Sequence, residues 1–258
     1  MLILFQCFEM LVVGSANILG ARASRGGDVR AMKISDGLWM VAGPGLTCDK
    51  DAAAYLVCGG TRAALIDAGT GREHERLSKN IRAVLPAEAS LSFLFLTHCH
   101  YDHAAGAALL SREFGIPVVA HEKDSAFLES GDKAVTAASW YGAEMPPVRV
   151  DHQISGGQEL FSVGSLKIQA IHCPGHTPGS VAYVTHLDGK KILFGQDVHG
   201  PLVASFLSNR EDYVRSLNLL LSLNADVLCE GHYGVVEGKA EVARFIRRFL
   251  NPGADSGL

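Results

Sequence analysis

Residues 93–103 read FLFLTHCHYDH: an apolar run, Phe93-Leu94-Phe95-Leu96-Thr97, that stops abruptly at His98-Cys99-His100-Tyr101-Asp102-His103. A continuous apolar stretch of this length predicts a strand buried on both faces. In extended chain, residues two apart point the same way, so His98 and His100 present imidazoles to one point. Asp102 and His103 fall where the chain turns into a helix and aim at a neighbouring point. With 11 histidines in 258 residues, H-x-H-x-D-H would arise by chance in about one shuffled chain in a thousand. Asp102 also reads as a helix N-cap ahead of an apolar helical run, a role compatible with ligation. Clustered imidazoles without compensating acids repel when protonated, so a bound metal is the simpler account. The ligand types suit zinc and its neighbours.

Three further segments have the same form, a strand end followed by a glycine-containing turn. Pro174-Gly175-His176-Thr177-Pro178-Gly179 offers His176, Phe194-Gly195-Gln196-Asp197 offers Asp197, and Glu230-Gly231-His232 offers His232. Glycine beside a ligand lets backbone approach an occupied site closely. Convergence of all four segments on one cleft is the economical inference.

Between these stations strands and helices are spelled out by periodicity. Leu38–Ala42, Ala54–Cys58 and Ala63–Asp67 predict an antiparallel meander. Glu73–Leu85 is a helix stopped by Pro86, a second helix runs over His103–Phe114, and Val118–Ala120 resumes strand character. Glu159–Phe161, Leu166–Ile171, Val181–Thr185 and Lys191–Phe194 are strands, with a hairpin at Asp188-Gly189. A helix over Tyr213–Leu221, a strand over Val227–Glu230 and an amphipathic helix over Ala240–Leu250 follow. Two β-sheets covered by helices, an α/β (α+β) arrangement, accommodate this order.

Composition sets the remaining bounds. With 23 basic and 27 acidic residues, net −4, no concentrated basic face for nucleic acid is visible. Six cysteines, at 7, 48, 58, 99, 173 and 229, lie in apolar stretches without a CxxC pair; they read as reduced, packed thiols, which predicts a cytoplasmic protein. Residues 1–31 form an apolar extension and linker whose Glu9 and Asn17 argue against a membrane span. It reads as a segment packing on the domain or a partner subunit, with a start at Met32 and a signal or anchor as the other readings. Residues 32–251 form the domain and 252–258 a tail.

H-x-H-x-D-H, then G-H-T-P-G-S, an aspartate after an apolar strand and a final G-H resemble the metallo-β-lactamase superfamily over roughly residues 34–249. Asp67, in Leu65-Ile66-Asp67-Ala68-Gly69, matches its early strand-end aspartate; on turn chemistry alone it reads equally as a turn residue. The resemblance implies a four-layer αββα sandwich with metals at one edge. By motif position His98, His100 and His176 would hold one cation, Asp102, His103 and His232 a second, and Asp197 would bridge them. The implied cofactor is two divalent ions, zinc first, with iron, manganese, cobalt or nickel as alternatives. The implied reaction is hydrolysis by a metal-activated hydroxide, with Asp102 and Asp67 placed among the catalytic residues.

The motif set is that of glyoxalase II, but only 26 residues follow His232, short of that enzyme's glutathione-binding region. Neither the tRNA-processing arm nor the flavodoxin partner of other branches is present, and true β-lactamases generally lack the bridging aspartate. The expectation is a hydrolase of a phosphoester, lactone, carboxyl ester or thioester in a small-molecule substrate. No nucleic acid or membrane partner is expected, and a homo-oligomer is compatible. The rival is a persulfide dioxygenase with one iron on His98, His176 and Asp197; a metal-binding module without turnover is a weaker alternative. Tyr101, His199 and Tyr233 adjoin ligands and are candidate substrate contacts, and Trp140, Tyr141 and Met145 candidate pocket walls.

Overall fold

A computed structural model describes residues 30–250; the readings of the N-terminal extension and the tail fall on residues outside that range. The first half is strands β1 (Met32–Ser35), β2 (Leu38–Ala42), β3 (Ala54–Gly59) and β4 (Arg62–Ile66), helix α1 (His74–Val84), strand β5 (Ser90–Phe95), helices α2 (Tyr101–Ala104) and α3 (Ala107–Phe114), strand β6 (Val118–His121), helix α4 (Glu122–Ser130) and strand β7 (His152–Ile154). The second is β8 (Gln158–Val163), β9 (Leu166–His172), β10 (Val181–Leu187), β11 (Lys190–Phe194), α5 (Arg210–Ser222), β12 (Val227–Glu230), β13 (Gly234–Glu237) and α6 (Lys239–Leu250). Strands β1 to β7 make one sheet in sequence order, and the second sheet runs β13-β12-β11-β10-β9-β8.

Period-two alternation sorts side chains into layers. Leu94 on β5 and Leu96 just beyond it join the core under the helices, with Leu77 of α1, Leu110 of α3 and Leu128 of α4. Phe93 and Phe95 face the other way, into the core between the sheets with Tyr183 and Phe161. On β10, Val181 and Tyr183 face the intersheet core, while Ala182 and Val184 meet Leu217 of α5 and Ile246 of α6. The layers are therefore helices, sheet, sheet, helices: the four-layer αββα sandwich.

The two sheets are clipped together at one end. Tyr183 Oη, on the second sheet, donates to the Leu96 carbonyl (2.8 Å), and Tyr55 Oη, on the first, donates to the Glu230 carbonyl (2.8 Å). Backbone bonds from Val181 N to Thr97 O (2.7 Å) and from Ala53 N to Gly231 O (2.7 Å) reinforce them. All four lie where the segments that bear the candidate ligands leave their strands.

The structure departs from the sequence reading in specific places. The helix expected over 103–114 is two helices, because Gly106 approaches the 68–71 turn too closely for a side chain: a Cβ there would lie 2.3 Å from the Ala68 carbonyl. Asp102 does not cap. His100 occupies the N-cap position of α2 without a side-chain bond, and Asp102 sits in the first turn. The sequence reading omitted α4 and the short strands β1, β7 and β13. The Asp188-Gly189 hairpin is present, both residues at positive φ (50° and 75°), as a type I′ turn requires.

Candidate metal centre

Each residue of the H-x-H-x-D-H stretch is delivered by the end of β5 and the start of α2. His176 arrives on the loop between β9 and β10, Asp197 just beyond β11, and His232 just beyond β12. The donor atoms fall into groups whose members lie within 4.8 Å of one another: His98, His100, His176 and Asp197 in one, and Asp102, His103 and His232 in another. His176 Nε2 is 3.0 Å from His100 Nδ1 and 3.5 Å from Asp197 Oδ2, which is 4.0 Å from His98 Nε2. His232 Nε2 is 3.2 Å from Asp102 Oδ2 and 3.3 Å from Asp197 Oδ2, while His103 Nε2 is 3.1 Å from Asp197 Oδ1. Asp197 thus touches both groups.

Hydrogen bonds on the far side of the rings fix their orientation. Asp67 Oδ2 accepts from His103 Nδ1 (2.8 Å), so that in the neutral ring Nε2 is the unprotonated nitrogen. Thr97 donates its hydroxyl to the same Asp67 oxygen (2.8 Å), so it accepts from His98 Nδ1 (3.0 Å), and His98 Nε2 is likewise bare. The Pro201 carbonyl can only accept, which assigns the proton of His176 to Nδ1 (2.9 Å). In their neutral forms the three rings therefore turn unprotonated nitrogens toward one space. His98 Nε2 and Asp197 Oδ1 are buried without a hydrogen-bond partner. Asp197 Oδ1 has His103 Nε2 3.1 Å away, but not aligned for a hydrogen bond. Orphaned acceptors of this kind are costly unless something positive completes them.

The electrostatics agree. Burial, followed by the nearby His103 and His100 rings, pushes His98 well below the usual imidazole range, and burial followed by His176 does the same to His100. These rings are neutral, as ligands must be. Burial opposes charge at His103 too, but Asp197, Asp67 and Asp102 outweigh it and raise that ring well above the usual range. At His232 burial is similarly overcome by Asp197 and Asp102, which lift it to about 10. Asp102 is held down at about 2, burial being outweighed by His103 and His232. Three buried carboxylates demand positive charge here, and the mixed imidazole and carboxylate set fits divalent cations.

Several supports were not legible in the sequence. Asp124, in α4, is fully buried. Its carboxylate accepts from Cys99 N (3.0 Å), Thr177 Oγ1 (2.7 Å) and Gly179 N (2.7 Å), tying the two histidine loops together. Burial raises its carboxyl above the usual range despite these bonds. Glu230 accepts from the backbone of His232 (2.7 Å) and Tyr233 (2.9 Å) and from His199 Nδ1 (2.8 Å). Backbone strain also gathers at the centre: Asp67, Gln196 and Leu207 have positive φ (63°, 53° and 58°), conformations that persist where surrounding structure imposes them.

The candidate substrate contacts separate. Tyr101 turns into the core under the helices, its ring 5.2 Å from that of Tyr141 and its hydroxyl accepting from Arg72 Nε (3.4 Å). His199 stands at the mouth, its ring 5.0 Å from that of His232. Tyr233 is 41% exposed and packs on Phe245. Trp140 and Tyr141 line a cleft of about 250 Å³ with Lys50, Asp51 and His232, whereas Met145 is buried in the helix-side core.

Comparison with known proteins places these features. The family profile described as the metallo-beta-lactamase superfamily matches residues 50–232. A probable metallo-hydrolase, MJ0888, of Methanocaldococcus jannaschii is 28% identical over 69% of this chain and 86% of its own length. The hydroxyacylglutathione hydrolase GloC of Haemophilus influenzae is 32% identical over 53% of this chain, and the match spans 60% of that protein. In structure, a Cronobacter sakazakii metallo-beta-lactamase with a HARLDQ motif superposes with a TM-score of 0.71 at 24% identity, covering 86% of this chain and 91% of that one. The subclass B3 enzyme BJP-1 of Bradyrhizobium japonicum gives 0.67 at 21%, covering 85% and 90%. From the family match and the αββα architecture together, this chain belongs to the metallo-beta-lactamase superfamily.

Proposed function

We propose that the protein is a two-cation hydrolase of an ester-type bond in a small molecule: a carboxyl ester, lactone, thioester or phosphoester. The observation that carries this reading is the convergence of two donor groups on one shared carboxylate, Asp197. His98, His100 and His176 would hold one ion and Asp102, His103 and His232 the other, zinc first among the candidate metals. When bound, such a pair lowers the pKa of a water molecule toward neutrality and polarises the oxygen of the bond to be cleaved.

The chain's own residues supply the rest. Asp67 and Thr97 hold His103 and His98 in the tautomers that leave Nε2 free. Asp124 fixes the spacing of the two histidine loops. The cleft wall mixes aromatic and charged groups, Pro44, Trp140 and Tyr141 beside Asp49, Lys50, Asp51 and His232; Trp140 is 58% exposed, and its ring packs 4.8 Å from Phe206, which lies 4.4 Å from the His100 ring. Leu207 and Tyr233, both exposed, stand next in sequence to Phe206 and His232. Lys50 is the one lysine or arginine among the residues lining the cleft, and it stands between Asp49 and Asp51 in sequence. Two carboxylates beside a single lysine disfavour polyanionic substrates, and the Trp140 and Tyr141 rings offer a face to an apolar or aromatic group.

The test is a substrate panel on the zinc-loaded protein: carboxyl esters, lactones, S-acyl glutathiones, phosphodiesters and phosphotriesters. Turnover of at least one class is expected. His100→Ala and Asp197→Ala should lose more than the ~10–100-fold that removal of a supporting residue costs. Absence of hydrolysis across the panel, with oxygen uptake on glutathione persulfide by iron-loaded protein, would assign the dioxygenase chemistry instead.

A further inference from the structure

His199 shares the arrangement that marks the ligand histidines. Its Nδ1 donates to Glu230 Oε1 at 2.8 Å, as His103 Nδ1 donates to Asp67 (2.8 Å) and His176 Nδ1 to the Pro201 carbonyl (2.9 Å). A carboxylate can only accept, so the proton lies on Nδ1 and Nε2 is the nitrogen left to bind. Metal-bound imidazoles characteristically give their other N–H to a carboxylate or carbonyl, which fixes the ring and raises its basicity. A ring nitrogen of His199 also lies within 4.8 Å of donor atoms of Asp197 and His232. Glu230 is itself completely buried. Its second oxygen receives the backbone N–H groups of His232 and Tyr233, so one carboxylate sets both His199 and the His232 loop.

We infer that His199 is a further metal ligand, supplying Nε2 to the cation held by Asp102, His103 and His232. The inference rests on the two-cation reading above and adds to it. It makes this half of the centre richer in imidazole than the motif set alone, with His103, His199 and His232 beside the carboxylates of Asp102 and Asp197. The structure groups His199 with Asp197 and His232, and Asp102 and His103 with the same His232; were all five to bind one ion, the shell would exceed the tetrahedral set usual for structural zinc and would be that of a five- or six-coordinate ion. It also places the more exposed ion at the mouth: His199 and His232 side chains are 19% and 34% exposed, while those of His98 and His176 are fully buried.

Cobalt(II) titration of the metal-free, full-length protein tests this, followed by visible absorption and by competition with a chelator. The wild type should take two equivalents, the second with the weak bands of a five- or six-coordinate ion. His199→Ala should weaken the second equivalent by about tenfold or more, alter its spectrum and leave the first unchanged. Added imidazole should restore both affinity and spectrum, a rescue that a purely structural role would not allow. Glu230→Gln, which keeps a side chain of the same size, should weaken the second equivalent to a smaller extent. Two equivalents in the wild type with unchanged affinity and spectrum in His199→Ala would overturn the role of His199 alone. Weakening in His199→Ala that imidazole fails to reverse would do the same. Fewer than two equivalents in the wild type would overturn the two-cation reading itself, and the role of His199 with it.

Discussion

Gly231 has no room for a side chain: a Cβ there would sit 2.5 Å from Asp197 Oδ1 and 2.6 Å from His103 Cε1. Both atoms belong to the packed centre and neither can withdraw without moving a proposed ligand. Gly231→Ala should therefore leave the secondary structure intact by circular dichroism while bound metal, measured by elemental analysis, falls below that of the wild type. Asp67 gives a second case. Asparagine tolerates its positive φ, but one side-chain oxygen cannot serve His103 and Thr97 as the carboxylate does. Asp67→Asn should weaken metal binding by ~10–100-fold, read by chelator competition. The proposed ligand residues stood out in the sequence because their types and spacing are rare, and the structure brings them together. Asp124 and Glu230 were not, since a lone acid in a helix or at a strand end normally reads as solvated surface, and only the fold shows that they are buried and saturated with donors.

Among the elements, β5 carries the greatest responsibility, because its last residues aim the motif. Tyr183 Oη reaches across the sandwich to the Leu96 carbonyl just ahead of Thr97. Tyr183→Phe keeps the packing but leaves that carbonyl buried and unpaired, at a cost of ~1–3 kcal/mol; urea unfolding should show it as a lower midpoint with unchanged slope. Helix α4 gives a pH-dependent case. Its N-cap is His121, whose Nδ1 accepts from Lys123 N at 3.2 Å and whose ring stacks on His172 at 3.8 Å. Burial, with His172 second, depresses the imidazole to about 4. A depressed folded pKa means that the unfolded chain takes up the proton first. The stability from this neutral cap is thus complete above the ordinary value near 6.5 and lost as pH falls toward 4. His121→Asn retains a cap acceptor that does not titrate, so between pH 7 and pH 5 it should lose less stability than the wild type. Helix α4 escaped the sequence reading for a related reason: two of its three buried residues, Asp124 and Ser125, are polar, so its inner face carries no apolar period. Strands β7 and β13, three and four residues long, are too short to alternate visibly, whereas β4, β5 and β10 declared themselves through long apolar runs.

Over the whole molecule, two sheets bury a shared core and bring the loops at one end into register, so residues 67, 98–103, 176, 197 and 232 meet although far apart in the chain. With cations bound as proposed, the same arrangement would couple metal to folding. An ion that binds only the assembled site stabilises it by RT ln(1 + [L]/Kd), about 2.7 kcal/mol at a hundredfold excess over Kd. Metal removal should accordingly lower the thermal midpoint reversibly. The central claim is that two donor groups share Asp197 around two cations, and the direct measurement is the zinc stoichiometry of metal-free protein titrated in a calorimeter. The account predicts two equivalents per chain, with one high-affinity equivalent retained in His232→Ala. Saturation of the wild type at one equivalent or none would contradict it.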